Sequence, residues 1–234
     1  MGKYWYISVA KSILVKKIIL GLVVLVLVAG CGTIKIKEGG GVTDVDGKSY
    51  KTVIIGSQEW MAENLNVAKF RNGDSIPQVK SDENWKKAGD NGKPAWCYYD
   101  NDPANGTKYG KLYNWYAVND TRGLAPDSWH VPSDVEFMQL TDYLGEGAAT
   151  KMKSTSGWKE DGNGTNESRF NGLPGGYRYD DGYSNYVGIN GYWWSSSQKV
   201  ASSAWDRYLN YKARDVYRAS KAKEVGFSVR CIKD

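Results

Sequence analysis

Histidine is almost missing from this 234-residue chain, with His130 the only one. A lone imidazole cannot furnish a His-rich metal centre, and no Gly-x-Ser-x-Gly turn is present to make it part of a hydrolase triad. Between Trp129 and Pro132, it reads as a structural side chain. A dominant sign of charge is missing too. Lys3, Lys11, Lys16 and Lys17 account for four of the 31 basic residues, leaving 27 against 26 acidic ones. That balance provides no field for steering nucleic acid or anionic lipid, so nucleic-acid binding is set aside. Nor is there an EF-hand. Asp100–Gly106 is rich in oxygen ligands, but Ala104 stands at a ligand position and no Glu completes the site. It reads as a solvated turn, with no metal set assembled.

Long apolar runs are missing apart from Ile18 through Val28, which follows those lysines. The run is shorter than the roughly twenty residues that span a bilayer, and it ends at Val28-Ala29-Gly30-Cys31. Small residues ahead of a cysteine are the pattern of lipoprotein processing. Residues 1–30 are therefore expected to be a signal peptide and Cys31 the lipidated amino terminus, a membrane anchor of effectively permanent hold. Residues 31–41, with three successive glycines, read as a flexible tether, and residues 42–234 as one domain. The absence of Asp at position 32 favours an outer membrane or cell-surface address.

Removing Cys31 to its lipid leaves Cys97 and Cys231. An even remainder in an exported protein points to a disulfide, while two separate buried thiols fit the same apolar surroundings.

The rest of the chain is short strands and turns. Asp46-Gly47 between apolar runs predicts a hairpin. Ser81 with Asp82 and Glu83 predicts a helix start, and Ser133-Asp134-Val135-Glu136 is a capping box leading Phe137, Leu140 and Leu144 at helical spacing. Trp96–Tyr99 reads as a strand and Thr155–Asn171 as a polar loop. Glu63 and Asn64 read as groups that fix a loop. Near the end, Trp205, Arg207, Leu209 and Tyr211 alternate as one buried strand face, as do Phe227, Val229 and Cys231, with a long excursion between the two strands. Many glycines and few helices predict an α+β class: loop-rich, with small curled antiparallel sheets and one or two short helices.

Four stretches, Asp46–Leu65, Tyr109–Val118, Trp129–Asp134 and Gly191–Ser197 with Gly226–Cys231, carry a resemblance. In order and spacing they resemble the Fibrobacter succinogenes major paralogous domain. The resemblance implies a C-type-lectin-like fold near the formylglycine-generating type. It does not name a chemistry. The Glu-Pro-Asn, Gln-Pro-Asp and Trp-Asn-Asp patterns of calcium-dependent sugar binding are absent.

With no catalytic set or cofactor motif assembled, the expected role is a non-catalytic binding or adhesion module for glycan or protein. The alternatives are a redox or formylglycine-generating-like enzyme using Cys97 and Cys231, and a structural envelope protein without a defined ligand. The candidate ligand surface is reached by elimination, with analogy to related lectin-like domains as support. Once the core aromatics are assigned, Tyr183, Tyr186, Tyr208, Arg214, Tyr217 and Arg218 remain to face outward.

Overall fold

The protein is described from a computed structural model covering residues 34–234. The expected signal peptide and the expected lipidation site, Cys31, lie outside the described residues. The chain begins with β1 (Ile36–Glu38), β2 (Val42–Thr43), β3 (Ser49–Tyr50), β4 (Thr52–Ile55) and β5 (Gln58–Met61). The β2–β3 hairpin turns where the Asp-Gly pair predicts, with Gly47 at φ 84°. The Asp44 carboxylate closes it, accepting from the Asp46 and Lys48 amides and the Tyr50 hydroxyl. The tether expectation for 31–41 is corrected here: Ile36, Lys37 and Glu38 pair with Ile55, Ile54 and Val53 as an edge strand. The alternation of Ile34 and Ile36, packed against the core, holds that segment down.

Helix α1 (Asp82–Asp90) begins at Ser81, whose side chain accepts from the Asn84 amide, and buries Trp85. Then come β6 (Trp96–Cys97), a 3-10 turn, α2 (Pro103–Tyr109), β7 (Leu112–Tyr113), α3 (Trp115–Val118) and β8 (Trp129–His130). The oxygen-rich stretch is consumed locally. Asp102 caps α2 ahead of Pro103, and Asn105 donates to the Tyr99 carbonyl. The capping box forms as read and starts α4 (Asp134–Leu144), followed by α5 (Ala148–Met152). Among the described residues five helices thus replace the one or two expected, and three of them have seven residues or fewer. Short polar caps at Asp102 and Asn114 sustain such single turns, which hydrophobic periodicity cannot register.

The last third is β9 (Gly175–Arg178), β10 (Ser184–Val187), β11 (Asn190–Val200), β12 (Ser203–Asn210), β13 (Tyr217–Ala222) and β14 (Ile232–Lys233). Two five-stranded sheets result, ordered β1-β4-β5-β14-β8 and β10-β9-β11-β12-β13. Pairing is antiparallel except between β9 and β11. The excursion after Tyr211 contains a strand: β13 pairs with β12 along six residues. The mixed α+β class with small antiparallel sheets holds.

Between the sheets the resemblance motifs converge. Arg230 and Asn64 are buried, and the Asn64 carboxamide uses all four of its hydrogen-bonding positions. Its oxygen accepts from Trp193 Nε1 and Arg230 Nε, each at 2.9 Å, while its nitrogen donates to the Tyr109 carbonyl and Ser228 Oγ. Arg230 also donates to the carbonyls of Met61, Phe170 and Asn171, and its guanidinium lies 4.3 Å from the Phe170 ring centroid. Among the described residues it has no carboxylate partner, and burial pushes its pKa down to about 9. It remains a cation at neutral pH, solvated by carbonyls and ring faces.

Replacing Arg230 with Met removes the donor to four oxygens, of which Asn64 Oδ1 keeps Trp193, and each buried acceptor left unpaired costs about 1–3 kcal/mol. The expected loss of stability is ~3–5 kcal/mol in urea denaturation, and Arg230→Lys should recover less than half, because a point charge cannot reach four divergent oxygens.

Candidate functional site

Each strand of the second sheet contributes one tyrosine to one face. From edge to edge they are Tyr186 on β10, Tyr177 on β9, Tyr192 on β11, Tyr208 on β12 and Tyr217 on β13. Successive ring centroids are 5.7, 4.9, 5.2 and 4.6 Å apart, an unbroken ladder. Register explains it: Tyr208 faces Tyr192 across β11 and Tyr217 across β13. Tyr177 and Tyr192 are buried beneath Phe227 and Tyr208 is half-buried, while Tyr186 and Tyr217 at the two ends are exposed. Burial above all, with neighbouring phenols adding to it, raises the pKa of Tyr177, Tyr192 and Tyr208, so these three rings stay uncharged.

Tyr186 is held in an uncommon backbone. Its φ is 67°, a genuine outlier for a bulky side chain, and the β9–β10 pairing skips it opposite Gly176. Gly176 is itself at φ 63°, and a Cβ there would meet the Asn185 carbonyl at 2.4 Å. The kink turns the Tyr186 ring flat onto Tyr177, 7° from parallel.

Three of the six candidate ligand residues, Tyr186, Tyr208 and Tyr217, thus meet on one ladder. The other three do not join it in the same way. Tyr183 sits exposed in the β9–β10 connection. Arg214 lies in the β12–β13 turn, 3.9 Å from Glu146. Arg218 points to the opposite face, where it grips Asp134 at 2.8 Å and covers the Trp205 ring at 3.5 Å. Trp205 is correspondingly only half-buried, contrary to the expectation of a fully inward face. Arg207 takes the other side of the Asp134 carboxylate at 2.7 Å, and against burial the two guanidiniums hold Asp134 below its ordinary range.

The expected Cys97–Cys231 disulfide is not formed. Both thiols are free and buried, in different hydrophobic clusters: Cys97 with Trp85, Tyr99 and Leu112, Cys231 with Met61, Tyr113 and Trp194. Burial pushes the Cys97 thiol up to about 11 and raises that of Cys231 as well. His130 bridges Asp234 at 2.6 Å and the capping-box Glu136 at 2.8 Å. Burial opposes its charge, but the two carboxylates prevail and raise its pKa. Among the described residues no group of three His, Cys, Asp or Glu is placed to hold a metal, and no helix is long and apolar enough to cross a membrane.

The Fibrobacter succinogenes major domain matches residues 53–233. The chain belongs to that family. No curated protein and no solved structure matches it.

In this Fibrobacter succinogenes major domain one residue beside the ladder went unread in the sequence. Asp206 shares its face with Tyr208 and lies between Trp194 and Ala219 on the adjoining strands. It is fully buried, and among the described residues neither carboxylate oxygen has a hydrogen-bond partner. Burial pushes its pKa up to about 7, against the pull of Lys221 and Arg207. The period-two reading assigned one face of β12 to the core; Ala204 and Asp206 show that the other face is buried as well.

Because the folded domain holds the Asp206 proton more tightly than the unfolded chain, this carboxyl costs nothing below pH ~4 and progressively more up to pH ~7. The full cost is ~4 kcal/mol at 1.36 kcal/mol per pH unit. Asp206→Asn, which stays neutral, should match the parent at pH 4 and exceed it increasingly towards pH 7 in thermal or urea melts. A constant difference across that range would mean the carboxyl is ionised throughout.

Proposed function

We propose that the protein is a non-catalytic binding module for glycan, carried at a bacterial outer membrane or cell surface by a lipid on Cys31, with a C-type-lectin-like arrangement of its domain. The observation that carries the reading is the exposed, left-handed Tyr186 at one end of the tyrosine ladder. Backbone strain on the order of 1–3 kcal/mol persists where the surroundings overdetermine it and clusters at ligand-facing positions. Closely spaced phenol rings suit sugar rings, offering apolar faces with little side-chain freedom to lose and hydroxyls at the rim. Tyr177, Tyr192 and Tyr208 stay neutral, so recognition there rests on stacking and hydrogen bonds.

The redox alternative draws less support. It needs two thiols within reach of each other and at least one as thiolate, whereas burial keeps both neutral and separate clusters hold them. The anchor rests on the Val28–Cys31 pattern and the apolar run before it.

On a glycan array, detergent-solubilised full-length protein should bind a defined subset. Tyr208→Ala and Tyr217→Ala should each weaken that binding by ~1–3 kcal/mol. An unchanged profile in the folded double variant removes the ladder from the site, and capture of proteins with no glycan signal makes the ligand a protein.

Cys31→Ser should leave an unprocessed precursor without lipid. Detergent phase separation and intact mass measure this, and a variant still processed and still acylated would refute the anchor.

A further inference from the structure

A cleft of about 1120 Å³ lies between the Gly39–Gly41 run and the loop 166–173, and no ladder tyrosine lines it. One wall holds three left-handed backbones in six residues: Asn166 at φ 51°, Arg169 at 57° and Asn171 at 53°. Arginine seldom adopts that conformation, and strain of this kind concentrates at ligand clamps. Here the core enforces it. Phe170 is buried between Trp60 and Trp193, and Arg230 donates from below to the Phe170 and Asn171 carbonyls. With Phe170 drawn inward, its two neighbours line the cleft.

The lining has a definite chemistry. Lys51 and Lys108 reach the cleft exposed, and among the described residues neither forms an ion pair. Arg169 is paired only with Glu38, at 3.5 Å and with both side chains largely in water, so a better-placed anion can displace that partner. Glu63 is already engaged, accepting from the Lys51 amide at 3.3 Å and lying 4.0 Å from Lys48. The unmatched charge is therefore positive. Among the described residues the Asn171 carboxamide and Asn166 Nδ2 have no hydrogen-bond partner, whereas Asn166 Oδ1 accepts from the Asn171 amide. Along Gly39–Gly41 the opposite wall offers no free backbone amides. The Gly39, Gly40 and Gly41 amides already donate to Thr52 O, Glu59 and Thr52 Oγ1. An extended peptide thus lacks the main-chain pairing it needs, while hydroxyl groups can meet the free amides.

We propose that this cleft binds an acidic saccharide: a short run of uronic-acid residues whose carboxylates meet Arg169, Lys51 and Lys108 and whose hydroxyls meet Asn166 and Asn171. The inference is independent of what the tyrosine face binds. Full-length protein in detergent, titrated calorimetrically with a defined oligogalacturonate, should bind it. The fully methyl-esterified oligomer should bind at least about tenfold more weakly, and an oligoglutamate of equal charge not at all. Arg169→Gly is the decisive variant. Glycine suits the left-handed backbone, so thermal stability should hold or rise while affinity for oligogalacturonate falls about tenfold. Lys51→Gln and Lys108→Gln should also weaken binding, and Lys86→Gln, on exposed α1 in an ion pair with Asp90, should not. No binding of oligogalacturonate, equal affinity for the ester, preference for oligoglutamate, or unchanged affinity in the stable Arg169→Gly protein would each overturn the proposal.

Discussion

The domain depends on a buried cation that has no ion-pair partner among the described residues. Arg230 sits at the meeting point of segments 166 residues apart in sequence, where Asn64 receives it. A guanidinium in so dry a place is tolerable only when each lobe finds an acceptor, so the Met61, Phe170 and Asn171 carbonyls and the Asn64 oxygen are all drawn to it. This requirement fixes the path of three chain segments at once: residues 61–64, residues 170–171 and the stretch that carries Arg230. With Trp193 bonded to Asn64 as well, the Glu63-Asn64-Leu65, Trp193-Trp194 and Val229-Arg230-Cys231 stretches are parts of one hydrogen-bonded knot.

From that knot the two candidate surfaces follow. On one side it pins the carbonyls of the 166–173 loop, so strained residues are held outward into the cleft. On the other it anchors Trp193 on β11, whose neighbour Tyr192 begins the alternation that places a ring from every strand on the opposite face. Rigid support beneath and strain above is the arrangement expected where geometry must be kept without a ligand present.

Two buried carboxylates show how unequally the interior treats acids. Asp134 is clamped between Arg207 and Arg218 and stays ionised, coupling the start of α4 to two strands. Asp206, next in sequence to Arg207 but on the other face of β12, has no hydrogen-bond partner among the described residues and titrates near neutrality. Adjacent residues on one strand thus inhabit opposite electrostatic environments, because successive side chains point to opposite faces of a sheet.

Much of the local structure was legible because its cause is local. The Asp46-Gly47 hairpin, the Ser81 cap and the Ser133–Glu136 capping box each depend on atoms within a few residues, and the motif order was enough to indicate the family. Tyr186, Tyr208 and Tyr217 could be named as outward aromatics by elimination, but Arg218 could not be told apart from them. Its direction depends on pairing with Asp134, 84 residues away. The β13 strand, the edge role of Ile36–Glu38, the separate burial of Cys97 and Cys231 and the bare carboxylate of Asp206 were likewise beyond reach. By itself the sequence determined the turns, the caps, the stock of buried aromatics and the family. Only the tertiary structure decided which face each side chain takes and which polar groups are left without a partner, because both depend on contacts between segments far apart in the chain.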